Sequence, residues 1–377
     1  MGEDGAHIPE IMISGNRVTL LVDGEDAYPS MLEAIASARQ TILMDSFIFR
    51  DDTAGRIFAA ALAERAQAGV RVHLTVDAVG TINVPKELFA DLRRADVAVL
   101  EYHPFAPWRR GFGLLRRNHR KLLVVDGRIG FAGGINIGDE WLPQSLGGQG
   151  WHDIHIRVEG PAVRGLSRLA IATWQRHTDL TFDPRLFSPE IERVGDTSVG
   201  IVNSRLRKNR RSIRSAYLHA IDHAKRYIYI ANAYFIPDMG LRRALRNAAR
   251  RGVDVRVMVP ANGNILPAQF ASQALFGRAL SAGLRLFLWQ VAMLHAKTAV
   301  IDDRWAMVGS FNLDHRSWSM NLEVNVNIEE PEFAIRLREV YERDEALCVE
   351  LTREAWRARP FWKRLIERFF FLFHRWM

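Results

Sequence analysis

The chain has 377 residues, 48% of them apolar and 25% charged, enough to bury a sizeable core, so a disordered or collagen-like chain is excluded. At ~150 residues per domain it should form about two domains or one large one. Its 51 Lys and Arg against 43 Asp and Glu leave a formal charge of +8, which points to nucleic acid or an anionic membrane face without choosing between them.

Cys348 is the single cysteine, which excludes an intrachain disulfide and any CxxC zinc or redox motif and fits a reducing compartment. Residues 1–10 carry three acidic groups and no long apolar core, and no stretch reaches the ~18 consecutive apolar residues of a spanning helix. Neither a signal peptide nor a transmembrane helix is expected. The basic side is almost entirely arginine: lysine occurs only at Lys86, Lys121, Lys208, Lys225, Lys297 and Lys363, so a lysine inside a motif is not compositional filler.

In chain order, the apolar run 41–49 predicts a buried strand, a helical pattern continues to Gln67, and Gly69 suits a left-handed cap before the strand that opens at Val70. Residues 108–117 interleave aromatics, leucines and arginines, which suits a lipid headgroup region or single-stranded nucleic acid equally. Asn118-His119-Arg120-Lys121 follows, then Leu-Leu-Val-Val, Asp126 and later Gly133-Gly134-Ile135-Asn136. Residues 180–200, with Pro184, Pro189, Gly195 and weak periodicity, read as a joint. A basic cluster from Arg205 to Arg214 then opens a helix and reads as a solvated face.

The plan now repeats. Residues 227–236 form a strand, 241–251 a helix, and Gly252 precedes the next strand at 253–257. Leu294-His295-Ala296-Lys297 leads into Thr-Ala-Val-Ile, Asp302 and later Gly309-Ser310-Phe311-Asn312. In both copies Lys follows His by two residues, Asp by seven, the first Gly by fourteen and Asn by seventeen. Strands alternating with helices in two copies predict an α/β fold, one sandwich per half. The expected divisions are an extension at 1–14, halves at 15–182 and 200–350, a linker at 183–199, and a tail at 351–377.

The chemistry rides on the repeat. On a strand, HxK puts imidazole and ammonium on one face, because side chains alternate with period two. Lysine supplies a point charge to a phosphate, while Asn136, Asn312 and the Ser310 hydroxyl supply neutral donors. Two histidines then allow phosphodiester exchange, one as nucleophile and one as general acid and base. Asp126 and Asp302 complete the motifs and read as turn-holding residues rather than substrate contacts. After Pro360, aromatic and aliphatic residues recur at near-helical spacing, with Lys363, Arg364, Arg368 and Arg375 largely between them. Such a helix is either an interfacial membrane anchor or one packed on the protein, and the basic, aromatic pattern favours the anchor.

At these residues the sequence resembles the phospholipase D superfamily, whose signature is a double HxKxxxxD, and more closely its bacterial cardiolipin synthases, in particular the shorter type without N-terminal transmembrane helices. The resemblance runs from about Gly15 to Asn327 and includes Ala231-Asn-Ala-Tyr-Phe235, Asp314 with Arg316-Ser317, and Asn321-Leu-Glu323. It implies two similar halves related by a pseudo-two-fold with one shared active site. His119, by analogy, is the nucleophile and His295 the acid and base, with Lys121 and Lys297 on the phosphate and no metal or cofactor. The acidic residues that orient the histidines fall at Asp153 and Glu323. Gly134 departs from the family's usual serine, so a hydroxyl is missing from the first copy. The implied activity is peripheral to a cell membrane, on its cytoplasmic side: a phosphatidyltransferase that makes cardiolipin from phosphatidylglycerol, with anionic phospholipid as partner. A hydrolase or nuclease of the same superfamily is the alternative. Both motifs in one chain, and a membrane-seeking tail, lower the nucleic-acid reading.

Overall fold

Two helices in equivalent places of the repeat begin the same way, because an aspartate ahead of each accepts an otherwise free backbone N–H: Asp52 from Gly55, and Asp238 from Leu241. The chain then leaves each through a glycine at φ 88°, Gly69 and Gly252, a conformation that costs glycine no Cβ clash. The computed structural model describes residues 11–105, 115–204 and 212–373. The first half runs β1 (Ile13–Val22), α1 (Asp23–Ser37), β2 (Thr41–Ser46), α2 (Thr53–Gln67), β3 (Arg71–Asp77), α3 (Lys86–Arg94), β4 (Ala98–Tyr102), β5 (Leu122–Val125), β6 (Ile129–Gly133), β7 (Ile154–Glu159) and α4 (Val163–His177). After the short α5 (Pro184–Phe187) come β8 (Thr197–Asn203), α6 (Ser212–His223), β9 (Tyr227–Asn232), α7 (Met239–Arg250), β10 (Asp254–Pro260), α8 (Leu266–Ser281), β11 (Arg285–Trp289), β12 (Lys297–Ile301), β13 (Trp305–Gly309), α9 (His315–Ser319), β14 (Val324–Glu329) and α10 (Pro331–Glu345). β15 (Cys348–Leu351), α11 (Arg353–Ala358) and α12 (Phe361–Leu372) close the described chain.

Strand order makes the duplication explicit. From the middle outward, the first half reads β1-β7-β6-β5-β2-β3-β4 and the second β8-β14-β13-β12-β9-β10-β11, with β15 added at the edge. Adding seven to each strand number turns one list into the other. β2, β3 and β4 are mutually parallel, as are β9, β10 and β11, while β5 and β12 run antiparallel beside them. An antiparallel pairing of β1 with β8 joins the halves.

Alternate residues of one strand serve two cores, as the period of two requires. On β5, Leu123 and Val125 face α1 and α2, while Leu122 and Val124 enter a central core with α4, α10 and residues of both sheets. The second half has its own outer core under α6 and α7. Neither motif histidine lies within a regular strand. His119 and His295 sit on extended lead-ins to β5 and β12, and each lead-in makes its backbone bridge to a segment of the opposite half. Most of the two basic segments singled out in the sequence, at 106–114 and 205–211, and the tail beyond 373 lie outside the described residues.

The tail helix has one packed face and one exposed apolar face. α12 packs Phe370 and Phe371 against Ile236, Ala271 and Leu275, and buries Glu367 in an ion pair with Arg359 at 2.7 Å. Its other face leaves Phe361, Trp362, Leu365 and Phe369 between 49% and 69% exposed. Among the described residues, no helix is long and apolar enough to cross a membrane.

Candidate active site

The two lead-ins are held by equivalent backbone bonds. His119 N–H donates to Leu322 C=O at 3.0 Å and Leu322 N–H to Arg117 C=O at 2.8 Å; His295 N–H donates to His152 C=O at 2.7 Å and His152 N–H to Met293 C=O at 2.9 Å. The segments that flank each histidine therefore come from the other half. They deliver the carboxylates crosswise: His119 Nδ1 bonds Glu323 Oε2 at 3.0 Å, and His295 Nδ1 bonds Asp153 Oδ2 at 2.6 Å. With Nδ1–H donating to a carboxylate, each ring carries its lone pair on Nε2, the tautomer needed to attack or to accept a proton.

Each carboxylate is itself fixed. Glu323 takes the Ser310 hydroxyl at 2.6 Å and the Asn321 amide at 3.1 Å. Asp153 takes the Trp141 indole N–H at 3.1 Å and the Ile154 N–H at 2.9 Å. Ser310 was expected to face a phosphate; its hydroxyl instead donates to Glu323 and accepts from Val324 N–H, so it sets the partner of His119. Gly134 occupies the equivalent place, and a Cβ there would run into the Asp153 carboxylate.

Lys121 and Lys297 are buried, each donating to the carbonyl of the histidine two residues before it. Asn136 is buried with its Oδ1 accepting from Ile48 N–H at 3.0 Å and its Nδ2 without a partner. Asn312 is buried with an unpartnered amide oxygen, and half a turn of that amide presents two N–H donors to the same space. Asp126 and Asp302 lie at the far ends of β5 and β12, about 16 Å along an extended chain from the lysines. Asp126 accepts the N–H groups of Arg39, Gln40 and Thr41, and Asp302 those of Lys225, Arg226 and Tyr227, all at 2.7–2.9 Å. Both hold a hairpin turn to the start of a neighbouring strand.

Electrostatics follow from burial and proximity. Desolvation, opposed by Glu323 and reinforced by the lysines, brings His119 down to about 4. Desolvation and the Lys297 charge bring His295 down to about 3. Burial also lowers Lys121 to about 7 and Lys297 to about 8. Burial alone would raise the two carboxylates, but Lys297 and the bond to His295 hold Asp153, and the bond to His119 together with Lys121 and Ser310 holds Glu323, below the ordinary range. At neutral pH the resting site thus has two neutral imidazoles, two anions and two ammonium groups that lose charge readily. A phosphate bound between the lysines would favour their charged forms and ease imidazolium formation.

Several contributors were not anticipated. Asp77 takes Asn118 N–H at 2.7 Å and Asp45 takes the Asn118 amide at 3.1 Å, fixing the first lead-in. An aspartate within the apolar run 41–49 was the available signal for Asp45. Phe47 packs edge-on to His119, while Trp141 and Trp151 flank His295. His152 bridges Asp23 and Asp344, each at 2.8 Å, directly beside Asp153; its neighbours come from distant segments, so spacing carried no signal.

The family model described as "Cardiolipin synthase, PLD-like domain" matches residues 31–146 and 217–345, one segment in each half. The major cardiolipin synthase ClsA of Bacillus subtilis is 34% identical over 360 residues, which span 95% of this chain and 74% of that protein. The cardiolipin synthase of Listeria monocytogenes is 33% identical over 367 residues, 97% of this chain and 75% of its own. Among solved structures, phosphatidylserine synthase of Haemophilus influenzae superposes with a TM-score of 0.73 over 96% of this chain and 95% of its own, at 13% identity, a likeness of fold alone.

Proposed function

Because the chain belongs to the cardiolipin synthase family of phospholipase D-like enzymes, we propose that it condenses two phosphatidylglycerol molecules into cardiolipin and glycerol by double displacement at a membrane surface. The observation that carries this reading is the pair of carboxylate-anchored histidines, one from each half, around two buried lysines. Once bound phosphate has favoured uptake of a solvent proton on His295 Nε2, His119 Nε2 attacks phosphorus while the phosphorus–oxygen bond to the headgroup glycerol breaks, and that oxygen takes the proton from His295. The hydroxyl of a second phosphatidylglycerol then gives its proton to His295 as its oxygen displaces His119 from phosphorus. Lys121 and Lys297 balance the charge on the non-bridging oxygens in both steps, with Asn136 and Asn312 as neutral donors. Assigning the first attack to His119 rests on analogy within the family.

Transfer over hydrolysis is supported by the outward apolar face of α12, which would hold the site where lipid hydroxyls are concentrated and water is scarce. The test is incubation of purified protein with vesicles of labelled phosphatidylglycerol, followed by measurement of cardiolipin, glycerol and phosphatidic acid. Cardiolipin and glycerol in equal amounts, with phosphatidic acid minor, is the expected result. Phosphatidic acid as the main product would make the protein a phospholipase, and label trapped by an alkaline denaturing quench on a His295 peptide instead of a His119 peptide would exchange the roles of the histidines.

A further inference from the structure

Away from the twin motifs, a groove between α7 and α8 carries charge without a counter-charge. It encloses about 310 Å³, within the ~300–1,000 Å³ typical of small-molecule sites. Phe235, Leu275 and Leu284 give it an apolar lining, and Arg242, Arg246 and Arg278 also face it. Arg242 and Arg246 are four residues apart and share one face of α7, while Arg278 comes from α8. Among the described residues none of the three has a carboxylate within ion-pair distance, and the Nε atoms of Arg242 and Arg246 are buried without an acceptor. The acid that lines the adjoining cavity, Asp238, is already engaged by Arg214 at 2.6 Å and caps α7. Burial, and then the like charge of Arg278, outweigh the attraction of Asp238 and weaken the hold of Arg242 on its proton, a penalty an anion between them would relieve.

The groove shares Pro237, Met239, Arg242 and Arg278 with a second cavity of about 410 Å³, to which Trp318 of α9 and Phe371 of α12 contribute. No side chain of the twin motifs lines either one. Inorganic phosphate would satisfy the guanidinium groups and leave the apolar lining wet; a neutral lipid would do the reverse. A phosphate ester that carries a hydrocarbon chain matches both, since guanidinium N–H pairs fit phosphate oxygens and the chain covers the lining.

We propose that this groove is a second lipid site, separate from the active site, which holds one anionic phospholipid with its phosphate on Arg242, Arg246 and Arg278 and an acyl chain between α7 and α8. The identity of the ligand rests on the reading of the protein as a phospholipid enzyme. The occupied groove ties the α8–α12 face of the second half to an individual lipid, beyond the nonspecific insertion of α12.

The test is photolabelling of the purified full chain in detergent by phosphatidylglycerol with a diazirine in one acyl chain, mapped by mass spectrometry. Adducts are expected on peptides covering 235–250 and 271–284, and Arg242→Gln combined with Arg278→Gln should reduce them about fivefold or more while labelling around the twin motifs and the thermal midpoint stay unchanged. Dioctanoyl phosphatidylglycerol should compete, and dioctanoyl phosphatidylcholine or inorganic phosphate should not. Absence of those adducts, their survival in the double variant, or equal competition by phosphatidylcholine overturns the proposal; competition by inorganic phosphate reduces the groove to a simple anion site and overturns it too. Should the double variant fail to fold, Arg246→Gln and the competition arms on the unaltered protein decide. Groove labelling without any cardiolipin formation would overturn the proposed reaction and leave this site standing.

Discussion

Ser310 donates to Glu323, whereas its counterpart Gly134 leaves room for Asp153, a carboxylate one methylene shorter. The two repeats thus reach the same imidazole–carboxylate bond by different packing. Gly134→Ser should push Asp153 away from His295 and lower kcat, while Ser310→Gly should only loosen Glu323. His119→Ala and His295→Ala should each cost about 10³-fold or more in kcat, the scale of a lost nucleophile or acid, with circular dichroism unchanged. Wild-type turnover in either would exclude the double-histidine chemistry. The pH profile has a worked sign. The nucleophile must be unprotonated and the acid protonated, so loss of the His119 proton near 4 should raise activity, whereas loss of the His295 proton that bound phosphate favours, and of the Lys121 and then Lys297 charge above 7–8, should lower it. A profile flat to pH 10 would show that ammonium charge at these lysines is not required. The histidines and lysines could be named from the chain because the motif repeats in register, whereas the orienting acids Asp153 and Glu323 came only from the family resemblance. Which acid serves which histidine could not be named, since spacing along one half says nothing about what the other half delivers.

At the level of elements, the hairpins after β5 and β12 explain why an aspartate ends each motif. Asp126 and Asp302 sit at φ 51° and 57°, left-handed backbone that aspartate tolerates better than most residues, and each collects three N–H groups at the start of a strand beside it in the sheet, β2 or β9. Asp302→Asn keeps the turn and one acceptor, so it should lower stability by about 1–2 kcal/mol yet leave kcat of the folded protein near normal. A collapse of kcat at unchanged stability would instead make Asp302 part of the chemistry. The His152 bridge acts between elements, joining the start of α1 to the end of α10. Burial disfavours its charge, but hydrogen bonds to Asp23 and Asp344 outweigh this and raise it to about 10. A folded value above the unfolded ~6.5 means the stabilisation is complete below pH 6.5 and is lost as pH rises through 10. His152→Gln should therefore flatten the alkaline fall in thermal midpoint between pH 6.5 and 10. If the fall persists unchanged, another group titrates. The strand and helix order of each half was legible from apolar runs, caps and glycines; the extended lead-ins were not, because their partners lie across the interface.

For the whole molecule, the pairing of β1 with β8 and the shared central core make the active site a product of how two repeats face each other. Added elements that break the two-fold symmetry lie outside that centre, and α12 is the largest of them in the second half. It runs antiparallel to α8: Phe370 stacks on Phe270, whereas Trp356, ahead of α12, reaches Gly277. Its far end therefore points toward the start of α8, where Ala268 packs with Tyr234, Met293 and Trp151 beside His295. Ile265 and Leu266 are exposed there, so apolar surface continues from the tail toward the site. Deleting the tail would also uncover Ile236 and Leu275 and confound membrane binding with stability. Replacing only Phe361, Trp362, Leu365 and Phe369 with glutamine leaves that packing intact. Each of these side chains gains up to ~1.5–3 kcal/mol when fully buried; even partial insertion predicts that binding to phosphatidylglycerol vesicles falls by about 10²-fold, with activity on detergent-dispersed lipid retained. Equal loss in vesicles and detergent would place these residues in the catalytic body, and unchanged co-sedimentation would assign membrane binding to another surface.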